Sequence, residues 1–165
     1  MAGPESALLA LILYVFNPVE LGVQLTGTHL HKIDMAPLGI GARFFLNFTE
    51  HTSLDAELTR YSGETSALLG MKSGLRSGRF GMFAKTRVGM WHFGGQLFSR
   101  RLSRRTVPAA DLGGVLEYYP SSHTTIRIDL GDTILFYGPQ SLIGITGRLG
   151  TVHNFQPGLG FSFRF

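Results

Sequence analysis

Beyond Pro18 the chain alternates apolar and polar residues with a period of two, the signature of strands with one apolar face. VELGVQLTGTHL sets Val19, Leu21, Val23 and Leu25 against Glu20, Gly22, Gln24, Thr26 and Thr28. LGIGARFFLNF sets Leu38, Ile40, Ala42, Phe44, Leu46 and Phe48 against Gly39, Gly41, Arg43, Phe45 and Asn47. LDAELTRY and the weaker ALLGMKSG continue the pattern, with Leu54, Ala56, Leu58, Ala67, Leu69 and Met71 on the apolar side. FGMFAKTRVGMWHF, ADLGGVLEYY and TTIRIDLG follow, and the chain closes on GLGFSFRF, with Leu159, Phe161, Phe163 and Phe165 on one face. The pattern predicts eight strands of roughly 9–11 residues, the length a tilted membrane strand requires.

The connections differ in kind. NFTEHTS near residue 50, GLRSG at 74–78 and YPSSH at 119–123 read as short turns. HLHKIDMAP, SGETS, the stretch from Gly94 to Val107 and that from Asp132 to His153 read as longer or less regular connections, although SGETS is short. This asymmetry suits an up-and-down barrel with turns at one end and loops at the other. Eight strands then return both ends of the chain to the turn side.

The strand charges decide which face points where. Glu20, Asp55, Glu57, Asp111, Glu117 and Asp129 share the more polar face with Arg43, Lys72, Lys85, Arg87, Arg127 and Arg164. The apolar face carries almost no charge through its middle; Arg60 comes at a strand end. Asp132 has apolar-face parity, so the seventh strand is expected to bend, bulge or end near Gly131. A soluble sandwich or ligand-binding barrel would turn its Leu, Ile and Phe inward and its charges to water. Six acids balanced by six bases instead fit a paired polar interior, with lipid covering the apolar wall. Eight strands leave a lumen filled by side chains, so an open pore is not expected. Inward glycines would make room for the long cations.

Composition agrees. Charged residues are 16% of the 165, against about 25% in soluble domains, while hydrophobic residues reach 44%. The longest apolar run, ALLALILYVF from Ala7 to Phe16, is about half of what a membrane helix needs. Residues 1–17 read as a separate apolar segment, the remnant of a secretory signal or an extra strand, with Glu5 where a cation would be usual. The barrel is expected over residues 18–165. No cysteine is present, so neither a disulfide framework nor a thiolate metal site is possible.

The closing GLGFSFRF resembles the C-terminal signal of bacterial outer-membrane β-barrel proteins, an alternating aromatic strand ending in Phe. That resemblance implies recognition of Leu159, Phe161, Phe163 and Phe165 by the barrel-assembly machinery. The region from about Val19 to Phe165 is similar to the small eight-stranded OmpA/OmpX-type barrels, including the glycine-rich LLGMKSGLRSGRFGMFAKTRVG. It implies an all-β, antiparallel, up-and-down transmembrane barrel in a Gram-negative cell envelope, with both termini on the periplasmic side. Such barrels include adhesins, structural anchors and lipid A-modifying enzymes, so the resemblance leaves the activity open.

Candidate sites are few. Arg100, Arg101, Arg104 and Arg105 crowd the longest polar connection, where guanidinium forks could meet lipopolysaccharide phosphates or another polyanion; the alternative is a solvated loop. No aromatic residues interleave them, so no nucleic-acid partner is expected. His29 and His31 could share a face and hold a metal, but no third ligand is evident and no metal or cofactor is expected. A lipid-modifying site would need histidine, serine and an acid at the outer rim; His92 or His153 with Ser99 or Ser103 is the available combination. Tyr61, Trp91, Tyr118, Tyr119 and Tyr137 fall near strand ends, either as an interfacial girdle or as ordinary packing. The expectation is a monomeric, non-enzymatic structural or adhesive barrel in contact with outer-membrane lipid and lipopolysaccharide. A lipid A-modifying enzyme and a soluble ligand-binding barrel stand as alternatives.

Overall fold

The computed structural model describes residues 19–30, 36–94, 106–138 and 150–165; the apolar segment 1–17 lies outside them. Eight antiparallel strands form one closed sheet: β1 (Val19–Gly27), β2 (Leu38–Asn47), β3 (Thr52–Tyr61), β4 (Glu64–Ser77), β5 (Phe80–Phe93), β6 (Thr106–Ser121), β7 (Thr124–Gly138) and β8 (Gly150–Arg164). Each strand pairs with the next, and β8 returns to β1 with Glu20 opposite Arg164 and Leu25 opposite Leu159. Closure pairs the last part of the terminal strand, Gly158 to Phe163, on both sides.

Alternation is strict along most of every strand, and it runs inside out. Val88, Met90, Leu130 and Phe163 are at least half exposed, whereas Arg43, Asp55, Arg87, Asp111 and Arg127 are buried in the lumen. On β5 the outward positions run from Phe80 to Met90, eleven residues that span about 25 Å at the usual tilt, the height of a barrel's lipid-facing band. Water cannot be the solvent for such a wall without a large free-energy cost.

Several boundaries differ from the sequence reading. β4 begins at Glu64 and ends at Ser77, so SGETS shrinks to a turn at Ser62–Gly63 and most of GLRSG is strand. The turn into β5 is two residues, and Gly78 takes it with φ +57°, a conformation that favours glycine in tight hairpins. β7 does not end near Gly131: it runs to Gly138, and β8 begins at Gly150. Asp132 keeps its outward parity because His153 on β8 pairs with it, which removes the need for a bend. The register of β7 against β8 shifts only between Phe136 and Gly138, and that against β6 near the strand's start, between Tyr118 and Ser121.

Two inward glycines show what that residue does here. A Cβ on Gly70 would lie 2.0 Å from the Thr86 carbonyl oxygen, so β4 and β5 can coil together this tightly only without one. A Cβ on Gly131 would lie 2.8 Å from an Asp111 carboxylate oxygen, so this glycine does make room for the charged interior.

Candidate functional site: the filled lumen and its two ends

Inward parity gathers all twelve strand charges in the middle of the barrel, and ion pairs divide them into two clusters. In the first, Arg43 binds Asp55 on the neighbouring β3 and reaches Asp129 on β7 at 2.7 Å. Arg87 of β5 holds Glu57 of β3 and Asp111 of β6, the latter at 2.7 Å. Lys85 bridges Asp111 and Asp129, each at 3.2 Å. In the second, Arg127 lies 2.7 Å from both Glu20 and Glu117, Arg164 lies 2.9 Å from Glu20, and Lys72 pairs with Glu117.

The first cluster holds four acids and three bases, the second two acids and three bases. Their opposite unit imbalances offset each other across one aromatic ring. Phe45, fully buried, has the Arg127, Lys72 and Arg43 cations 4.0, 4.8 and 4.9 Å from its centroid. Its negative π-face suits a site where cations from both clusters converge. The sequence placed Phe45 on the polar face without a reason; the FF pair at 44–45 forces one ring inward, and these cations receive it.

At the end carrying the longer connections the lumen becomes apolar. Tyr61, Leu68, Trp91, Phe93, Leu135 and Tyr137 belong to one buried cluster. Tyr61 stacks on Trp91 with centroids 4.8 Å apart, and Phe93 stacks on Tyr137 at 5.8 Å. Below this cap, Gln156 donates to the Tyr61 and Thr26 hydroxyls at 3.1 and 3.2 Å. Tyr61, Trp91, Tyr119 and Tyr137 therefore do not form a lipid-facing girdle. Each has the inward parity of its strand's charges; Tyr118 alone of the five faces outward, against Phe80 at 5.2 Å. Glu64 is a further buried acid, hidden from sequence reasoning because SGETS read as a loop.

The outer wall also carries three polar pairs. Arg60 donates to Thr65 at 2.8 Å, His92 meets Thr106 at 2.8 Å, and His153 Nδ1 lies 2.5 Å from Asp132. All three join neighbouring strands toward the end that carries the longer connections. Ser99 and Ser103, and the arginines at 100, 101, 104 and 105, lie outside the described residues, as does His31. Among the described residues no three His, Asp or Glu side chains gather as metal ligands. Leu159, Phe161, Phe163 and Phe165 face outward along β8, and Phe161 meets Phe163 edge-on at 5.1 Å.

The opposite end is an open mouth of about 450 Å³, lined by the three short turns and the end of β8. Arg76, Arg79, Tyr119 and Arg164 contribute to its walls.

No known family pattern and no curated protein sequence matches the chain. Solved structures do. Neisserial surface protein A superposes with a TM-score of 0.56 at 12% identity, covering 89% of this chain and 96% of that one. The N-terminal β-barrel domain of Pseudomonas aeruginosa OprF gives 0.55 at 14% identity over 88% and 97%. The outer membrane enzyme PagL gives 0.53 at 10% identity over 88% and 99%. At such identities the likeness establishes the fold, that of the small eight-stranded outer-membrane barrels, which these proteins put to different uses.

Proposed function

We propose that the chain is a non-conducting outer-membrane barrel whose role is structural or adhesive, a rigid post presenting the connections 28–37, 94–105 and 139–149 outside the cell. One observation carries this reading: ion pairs join strands that are not neighbours, Arg43 to Asp129 and Arg87 to Glu57 among them, so side chains cross the lumen instead of lining a channel. The apolar cap above them adds a second seal. The short turns and both termini face the periplasm, and the basic connection at 100–105 meets lipopolysaccharide phosphates.

Because the chain has no cysteine, single cysteines report topology cleanly. Ser99→Cys is expected to react with a membrane-impermeant maleimide on intact cells, and Ser122→Cys only after permeabilisation. The reverse pattern would overturn the orientation. Replacing all four arginines by glutamine should weaken capture by immobilised lipopolysaccharide at low salt; unchanged capture would remove that contact.

A lipid-modifying enzyme on the same scaffold is the second reading, and the Asp132–His153 pair on the lipid-facing wall favours it. A carboxylate beside Nδ1 orients the ring and leaves Nε2 for a hydroxyl or water. Lipid A mass spectra from cells with and without the protein separate the two readings. Identical spectra support the post, and a difference that Asp132→Asn abolishes supports the enzyme.

A further inference from the structure

Every cation of the two lumenal clusters has a carboxylate partner. Arg76 and Arg79 have none among the described residues, and both line the mouth at the short-turn end. Arg76 is half-buried, and its Nε–H is shut off from solvent with no acceptor. Arg164, 8% exposed, spends its Nε–H on Glu20 but leaves an Nη2 group without an acceptor, 3.9 Å from the Glu117 carboxylate. Buried donors without acceptors are uncommon, because each forfeits its hydration without replacement.

These donors are held in place before any ligand arrives. Tyr119 donates its hydroxyl to Glu117 at 2.5 Å, which fixes the ring. The Arg76 and Arg164 guanidinium groups then lie 4.3 and 4.4 Å from that ring's centroid. Stacked guanidinium groups keep their N–H edges available for in-plane acceptors. Glu50 is the one acid on the walls, against three arginines. The cavity of about 450 Å³ falls within the size range of small-molecule sites.

We propose that this mouth is a binding site for a small oxyanion with two or more acceptor oxygens, a phosphate or a carboxylate, held by Arg76, Arg79 and Arg164. The anion's charge answers the excess of cations on the walls, where Arg76, Arg79 and Arg164 face a single acid, Glu50. The inference is independent of the scaffold role and of the membrane orientation, which decides only which compartment supplies the anion.

The test is a titration of the folded, full chain in detergent micelles with inorganic phosphate and, separately, with glutarate. Sodium chloride at matched ionic strength is the reference for both. Saturable binding in the millimolar range or tighter is expected for at least one anion, with the Arg76 and Arg164 Nε–H signals shifting in NMR spectra. Which anion binds identifies the chemistry. Arg76→Gln and Arg79→Gln should each weaken binding about tenfold, the loss expected of one charge-assisted contact. Arg60→Gln, on the outer wall at the other end, should change nothing. The wild-type spectra keep the test decisive even if a variant folds poorly. No shift at Arg76 and Arg164 with either anion beyond that in chloride, or affinity unaltered in both folded mouth variants, overturns the proposal.

Discussion

Arg43 on β2 meets Asp129 on β7 at 2.7 Å, although β1 and β8 lie between those strands in the closed sheet. The same guanidinium also grips Asp55 on β3 and touches the Phe45 ring. One side chain thus ties three strands together through the barrel interior. Removing it leaves two buried carboxylates short of a partner, and such a loss is far more costly than the pair's net contribution. Arg43→Met should destabilise the folded barrel by about 3–5 kcal/mol, read from urea unfolding in micelles. The double variant with Asp129→Asn should recover part of that loss. If the two losses simply add, the cross-lumen contact contributes nothing.

Phe45 makes a narrower prediction. Phe45→Leu keeps an apolar side chain but removes the π-face shared by Arg43, Lys72 and Arg127. The expected cost is about 1–3 kcal/mol, from lost cation–π attraction and imperfect repacking. A change below about 0.5 kcal/mol, the range of surface substitutions, would mean that the ring is only filler.

The outer wall can be tested by charge. Val88 is 65% exposed and has Leu69 and Ala110 as cross-strand neighbours, so an arginine there would face acyl chains without a partner. Val88→Arg should cost about 2–4 kcal/mol in a bilayer if the site lies near the membrane midplane. An unaffected stability in lipid vesicles would mean that this face meets water.

Trp91 is the chain's single tryptophan and is fully buried against Tyr61. Its fluorescence should be blue-shifted, and lipids brominated on their acyl chains should quench it weakly, because the ring points into the lumen. Strong quenching would restore the girdle placement suggested by its position near a strand end. Trp91→Ala should destabilise by about 3–5 kcal/mol, as expected for a large buried aromatic.

The strands and the sidedness of the barrel were legible because a period-two pattern reports its own faces. Glu57, Lys85 and Arg127 could not all lie on a lipid-facing wall, so the charges settled the direction. Partners across the lumen were not legible, since Arg43 and Asp129 are far apart in sequence and meet only through closure. Trp91 and Tyr61 stayed between two readings for a different reason. Nearness to a strand end suggested an interface, while parity with Arg87 and Glu57 already pointed them inward. Glu64 was hidden by the turn-like composition of SGETS, and the His153–Asp132 pair by a β7 that outran its expected end. That Arg76 and Arg79 have no carboxylate partner among the described residues could not be found by pattern at all, because it is a property of the folded mouth.

The central claim is that side chains seal this barrel. Single-channel recording of the purified, folded protein in a planar lipid bilayer tests it most directly. A sealed lumen predicts no discrete conductance steps above the bare bilayer across the accessible voltage range. Reproducible open-channel steps that scale with protein added would contradict the account.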